Sequence, residues 1–380
     1  MKRTVIVEGA RTPFGKLNGA LSSFSAAQLG GIAIKGALER SRLRQEEVDY
    51  VVMGTVLQGG QGQLPSRQAA RDAGIPWEVG TETINKVCAS GLRSVVIGDL
   101  YIRTNEAQTI VAGGMESMSN APHALLSARK GYRMGNGVLT DLMIYDGLTC
   151  SFTGVHMGSY GNRTAKELEI SREEQDQWAY RSHQRAIAAI DQGTLGEEIV
   201  PVFIPQKKGE PLVVKEDEGP RRDTSMEKLA TLKPAFDQDG TITAGNAPGV
   251  NDGACALVLM DEEKALKENR TVLARILGSA SIAMEAKDFP KTPGYVIQEL
   301  LKKTGKTVGA IDLFEINEAF AAVTLASIKI AHLPEERVNV NGGAIALGHP
   351  IGASGTRIVL TLAYELRRRG GGLGIKQSLY

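Results

Sequence analysis

The sequence predicts an α/β protein built of two similar halves, each a sheet covered by helices, with the two sheets packed together and a long insertion. Three observations carry this. A nine-residue motif nearly recurs: Cys88-Ala-Ser-Gly-Leu-Arg-Ser-Val-Val, and at 352–360 Gly-Ala-Ser-Gly-Thr-Arg-Ile-Val-Leu. Apolar β-branched runs alternate with helix-length segments in the same order around both copies. Residues 120–249 have no counterpart in the second half.

The first half opens with a strand in Arg3-Thr-Val-Ile-Val-Glu-Gly-Ala, and Arg275-Ile-Leu-Gly-Ser-Ala is its expected counterpart. Helices are predicted over roughly 26–40 and 295–304, then strands at Val48–Met53 and Ile311–Ile316. The motif helices follow Cys88 and Gly352, and strands Thr109–Ala112 and Leu373–Ile375 come next. This alternation predicts a mainly parallel sheet in each half. The insertion holds a charged helix, Ser171–Asp191, whose Ser171 and Glu174 fit a capping box. Ala254–Met260 reads as a strand returning to the first sheet as its last member. The expected units are therefore 1–119 plus 250–270, the insertion 120–249, and 271–380. Symmetry calls for one more strand after Leu373–Ile375, so the second half is expected to be one strand short at Tyr380.

The chain has 380 residues, a net charge of +1 and 23% charged residues, which gives no reason to expect nucleic acid or an anionic membrane as partner. No run of about 18 apolar residues predicts a membrane span. Three cysteines, an odd number, favour a reduced, cytoplasmic setting over a disulfide framework. No metal-ligand spacing or dinucleotide fingerprint appears, so no metal site is predicted.

Cys88 is predicted to start a helix, where backbone N–H groups and the helix dipole would lower its pKa and favour a thiolate nucleophile. The plainer alternative is a small buried hydrophobe. His349, between Gly348 and Pro350, suits a general base or a structural histidine. Asn317, ending a strand, suits holding a water or an oxyanion, or capping a helix. Cys255 alternates within an apolar strand and reads as core, and Cys150 stays ambiguous.

Asn85-Lys-Val-Cys88-Ala-Ser-Gly, Asn317-Glu-Ala-Phe and Gly348-His349-Pro-Ile-Gly together closely resemble the motifs of the thiolase superfamily. Val111-Ala-Gly-Gly-Met-Glu-Ser-Met-Ser, His156-Met-Gly and Thr243-Ala-Gly-Asn-Ala-Pro-Gly match as well, from the first strand to about Ile375. The resemblance is greatest to bacterial short-chain acetyl-CoA acetyltransferases. It implies the thiolase fold, two similar mixed-sheet α/β halves layered α/β/α/β/α, and a homodimer or homotetramer. It implies no cofactor, with CoA and acyl-CoA as substrates and partners. Cys88 would be acylated after giving its proton to His349, and Asn317 would hold a water at the enolate oxygen. Arg221 would meet the CoA phosphates, and Met157, Phe236, Ala244, Ala319 and Phe320 would line the pantetheine tunnel. His156 would approach the acyl group. Pro248 stands where many relatives hydrogen-bond pantetheine through a serine. The family's second cysteine, in a Cys-x-Gly motif, is expected after Leu373, where this chain reads Lys376-Gln-Ser-Leu-Tyr. That difference leaves open an alternative: a thiolase-fold protein limited to acyl-CoA binding or slow thioester hydrolysis. A non-catalytic scaffold is the third reading.

Overall fold

The computed structural model describes residues 2–378. Expectations for Leu379 and Tyr380, the end of the region compared with Cys-x-Gly, lie outside the described residues.

The first half folds around a seven-stranded sheet. Its main order is Ala274–Arg275, Thr4–Arg11, Asn251–Asp261, Thr109–Ser117, Tyr50–Gly54, Gly80–Ile84. Tyr50–Gly54 runs parallel to both of its neighbours, whereas Asn251–Asp261 runs antiparallel to Thr4–Arg11 and Thr109–Ser117. The sheet is thus mixed rather than mainly parallel. Asn251–Asp261 lies at its centre, with all eleven residues buried. A strand covered on both faces is apolar throughout, as Ala254-Cys-Ala-Leu-Val-Leu-Met is.

Alternation sorts the side chains into two layers. Val5, Val7, Val51, Met53, Val111 and Val258 face one apolar cluster that also contains Leu29, Ile34 and Leu38 of the helix Ala26–Ser41. Ile6, Val52, Ile110, Leu257 and Leu259 face the other, with Val95 and Ile102 of Ser90–Arg103 and Leu360 of Ser354–Arg368. Each fully buried aliphatic side chain contributes about 1.5–3 kcal/mol. The two motif helices thus form a middle layer. Ser354–Arg368 also packs on the second sheet, whose described strands are Leu313–Ile316 and Gly374–Gln377, paired in parallel. Outside that sheet lie Thr292–Thr304 and Ala321–Ala331, which bury Ile297, Leu301 and Ala321 with Phe314 and Ile375. The layers run α/β/α/β/α.

The expected second-half counterpart of the first strand does not form that way. Only Ala274–Arg275 is a strand, and it pairs with Val5 and Ile6 at the edge of the first sheet. The insertion is structured in pieces, with helices Met157–Glu167 and Arg172–Asp191 and short strand pairs. Ser171 and Glu174 form the expected capping box. Among the described residues, no helix is long and apolar enough to cross a membrane.

Candidate active site

Cys88 sits in the turn between the strand Gly80–Ile84 and the helix Ser90–Arg103. Val87 adopts φ +48°, a left-handed conformation that is strained for a β-branched residue. Local hydrogen bonds hold it: Val87 N donates to Asn85 Oδ1 (3.0 Å), Lys86 N to Ser90 Oγ (2.8 Å), and Ser90 Oγ to the Val87 carbonyl (2.6 Å). Cys88 is half-buried and packs against two apolar clusters. One contains Ala319 and Phe320, with Met157 and Phe236 packed on it; the other contains Val56, Leu57, Met118 and Ile351. Burial pushes its thiol up to about 12, opposed by a backbone hydrogen bond and reinforced by the charge of Glu116. This corrects the expected thiolate: the helix start is present, but desolvation outweighs it.

His349 follows Gly348, whose φ of +107° suits glycine. Its backbone N–H donates to Asn251 Oδ1 (2.9 Å), and Asn251 Nδ2 donates to the Gly15 carbonyl (2.8 Å). The ring is held at both nitrogens. Nδ1 lies 2.6 Å from Ser354 Oγ, and Nε2 lies 3.3 Å from Asn317 Nδ2. Ser354 gives its own proton to the Pro350 carbonyl (3.0 Å), so its oxygen accepts from Nδ1–H. Asn317 Nδ2 is a donor, so Nε2 carries the lone pair. Both contacts select the same tautomer, with the basic nitrogen at Nε2. Burial, aided by Arg357, lowers the His349 pKa to about 3, so the imidazole is neutral.

Asn317 is fully buried at the end of Leu313–Ile316, its N–H donating to the Gln377 carbonyl (3.0 Å). It caps no helix, since the next one starts at Ala321 after Phe320. Its Oδ1 accepts no hydrogen bond and remains available to a donor. The neighbouring Glu318, also buried, accepts from Trp178 Nε1 (2.9 Å), Ser182 Oγ (2.7 Å), Asn339 Nδ2 (3.0 Å) and the Ile345 N–H (3.0 Å). It thereby ties the Asn317 loop to the insertion helix Arg172–Asp191.

His156 caps Met157–Glu167 through Nδ1, which accepts from Gly158 N at 3.0 Å. Its ring stacks on Phe236 at 4.4 Å, and Phe236 meets Phe320 edge-on at 5.8 Å. Burial holds its pKa below the usual value, against Asp237. Cys88, His156, Met157, Phe236, Ala319 and Phe320 thus belong to one continuous packed cluster. Arg221 and Ala244 stand exposed at the surface, with the Arg221 N–H donating to buried His183 Nδ1 (3.1 Å). Pro248 is half-buried. Cys255 is buried in the central strand. Cys150 is buried too; burial would raise its pKa, yet hydrogen bonds from Thr153, Tyr160 and the backbone hold it below the usual value.

Sequence reasoning missed Ser354, Asn251, Glu116 and Glu318 as parts of this site. Ser354 had a signal, since it repeats Ser90 in the second motif copy. Glu116 and Glu318 lie inside the motifs quoted above and Asn251 just after one, but none carries a local mark of its partners. Burial pushes the Glu116 carboxyl up to about 7, opposed by hydrogen bonds from Val56 N, Leu57 N, the Thr55 hydroxyl and Gly352 N.

Two family models match the chain: the thiolase N-terminal domain over residues 4–263 and the thiolase C-terminal domain over 270–378. A Mycobacterium tuberculosis protein named a probable acetyl-CoA acetyltransferase is 49% identical over 375 residues, 99% of this chain and 95% of that protein. A Staphylococcus aureus protein named a probable acetyl-CoA acyltransferase is 46% identical over 366 residues, 96% of this chain and 93% of its own length. Among solved structures, the Bacillus anthracis acetyl-CoA acetyltransferase matches with a TM-score of 0.96 and 40% identity, over 99% of this chain and 95% of that one.

Proposed function

The chain belongs to the thiolase family, and from that premise we propose that it is an acetyl-CoA C-acetyltransferase. It condenses two acetyl-CoA to acetoacetyl-CoA and CoA, or runs the reverse thiolysis, through an S-acyl Cys88. The observation that carries this reading is the His349 ring, held by Ser354 and Asn317 with Nε2 as its basic atom. His349 Nε2 takes the Cys88 proton as sulfur attacks the thioester carbonyl. The C–S bond to CoA breaks, and the proton passes to the departing CoA thiolate. Starting from a neutral thiol and a neutral imidazole, this transfer occurs with the attack rather than before it. Asn317 Oδ1, unpartnered, is the acceptor that would orient a water toward the oxygen of an enolate, which forms once the α-proton passes to a base; residues 373–378 offer no cysteine for that step. The cluster from Phe320 through Phe236 to His156 suits an apolar pantetheine arm, and exposed Arg221 suits the phosphates of CoA. CoA and acyl-CoA are substrates, and no separate cofactor is needed.

A homodimer or homotetramer agrees with the apolar side chains exposed on the insertion, where Met134 and Phe152 are each 91% and Val138 76% exposed. Light scattering of the purified chain tests that. A cytoplasmic setting and a place in short-chain fatty acid metabolism agree with the three free cysteines and the proposed substrates.

The test of function is a pair of measurements on one preparation. Acetyl-CoA should acetylate Cys88, detected by intact mass and peptide mapping, and acetoacetyl-CoA with CoA should give acetyl-CoA. Absence of acetyl-Cys88 overturns the reading. Acetylation that decays to free enzyme without any thiolysis favours the hydrolytic alternative.

A further inference from the structure

Glu116 lies in the strand Thr109–Ser117, on no part of the proton path described above, and its side chain is wholly buried. Its Oε1 accepts from Thr55 Oγ1 (3.0 Å) and Leu57 N (3.1 Å); its Oε2 accepts from Val56 N (3.0 Å) and Gly352 N (2.8 Å). These donors belong to two separate loops. Residues 55–57 are bound to the Cys88 turn: Thr55 N donates to the Ile84 carbonyl (3.0 Å), Asn85 Nδ2 donates to the Val56 carbonyl (3.3 Å), and Val56 and Leu57 form the apolar wall at Cys88. Gly352 ends the turn that carries His349. A continuous hydrogen-bonded chain therefore runs from the Cys88 turn through residues 55–57 to Glu116, and on to the His349 turn.

We infer that Glu116 is a positioning residue: one carboxylate clamps the nucleophile's loop to the base's loop and sets the spacing between Cys88 and His349. This rests on the proposed acylation of Cys88. A carboxylate suits the task because three of the four donors are backbone N–H groups, which cannot reverse their polarity as the Thr55 hydroxyl can. Glutamine nearly preserves the shape, but its NH₂ must face either Leu57 N–H or the Val56 and Gly352 N–H groups. Whichever way the amide turns, at least one tie is broken and becomes repulsive.

The experiment is single-turnover acetylation of Cys88 by acetyl-CoA, comparing the parent chain with Glu116→Gln by rate, by amplitude and by KM for acetyl-CoA. Misplacing a reacting pair by about 1 Å costs about 100-fold. The expected result is acetylation slowed about 100-fold with full amplitude and unchanged KM. General damage to the fold would instead lower the amplitude. Full-amplitude acetylation at the parent rate overturns the inference while leaving the proposed function standing. Failure of the parent to acetylate overturns both. If Glu116→Gln does not fold, Thr55→Val decides: it removes one donor at similar volume, and a roughly three- to tenfold slowing is expected. A parent rate in folded Thr55→Val overturns the clamp.

Discussion

At Cys88-Ala-Ser-Gly, the serine hydroxyl bonds within its own turn, accepting from Lys86 N and donating to the Val87 carbonyl. At Gly352-Ala-Ser-Gly, the equivalent Ser354 donates to Pro350 in the same manner but also receives His349 Nδ1. The two turns meet face to face. A Cβ on Gly91 would lie 2.5 Å from Thr356 Oγ1, and one on Gly355 would lie 2.4 Å from Leu92 N, so each copy needs its glycine for the other to approach. The backbone task is shared, and the chemistry is divided by what stands just before each Ala-Ser-Gly. In the first copy a strained Val87 precedes a cysteine; in the second, a histidine loop precedes a glycine whose N–H is spent on Glu116. One scaffold thus presents Cys88 and His349, the proposed nucleophile and base, from opposite sides of a pseudo-symmetric contact.

The largest effect should come from making the first copy resemble the second. Cys88→Gly removes the nucleophile at a turn where glycine is already tolerated in the other copy. Acetylation at 88 should vanish and thiolysis should fall by at least about 10,000-fold. Thermal unfolding should shift only as far as a loss of about 1 kcal/mol allows. A folded Cys88→Gly protein that retains thiolysis would break the division of labour between the copies.

The next effect concerns protonation of the first copy. The thiolate is the form that alkylates, and the thiol is pushed up to about 12, so the thiolate fraction should climb tenfold for each pH unit well past neutrality. From pH 7 to 9, without acyl-CoA, iodoacetamide labelling of Cys88 should speed up about 100-fold with no plateau. Peptide mapping of the labelled sites over that range measures it. A plateau near pH 8 would mean that the helix start, not burial, governs this thiol.

A smaller contrast separates the two serines. Ser354→Ala leaves His349 Nδ1–H without its acceptor and frees the ring to adopt the other tautomer. Acetylation should slow roughly tenfold, since a buried unpaired donor costs about 1–3 kcal/mol. Ser90→Ala removes hydroxyl bonds confined to its own turn and should cost about 1 kcal/mol of stability, with less effect on the rate. Equal rate losses in the two variants would deny Ser354 its hold on the base.

The order of elements was legible along the chain. Helices at 26–40 and 295–304 reappear as Ala26–Ser41 and Thr292–Thr304, and the Ser171–Glu174 capping box stands where its spacing puts it. Cys88, His349 and Asn317 were legible as candidates too, the first two because they stand among Gly, Ala and Ser in tight turns and Asn317 because its amide ends an apolar strand. Less legible was where strands go in space. Asn251–Asp261 reads the same whether it ends a sheet or fills its centre, and Ala274–Arg275 joins the first sheet although its sequence mirrors the opening of that half.

Local pattern by itself determined periodicity, capping, the duplicated turn and the residue types able to carry acyl chemistry, because those depend on neighbours within a few positions. Only the tertiary structure decided that burial pushes the Cys88 thiol up, that His349 keeps its basic nitrogen at Nε2, and that Glu116 joins their loops. Desolvation and buried hydrogen bonds are set by atoms tens to hundreds of residues away, as Glu116 Oε2 and Gly352 N show across 236 positions.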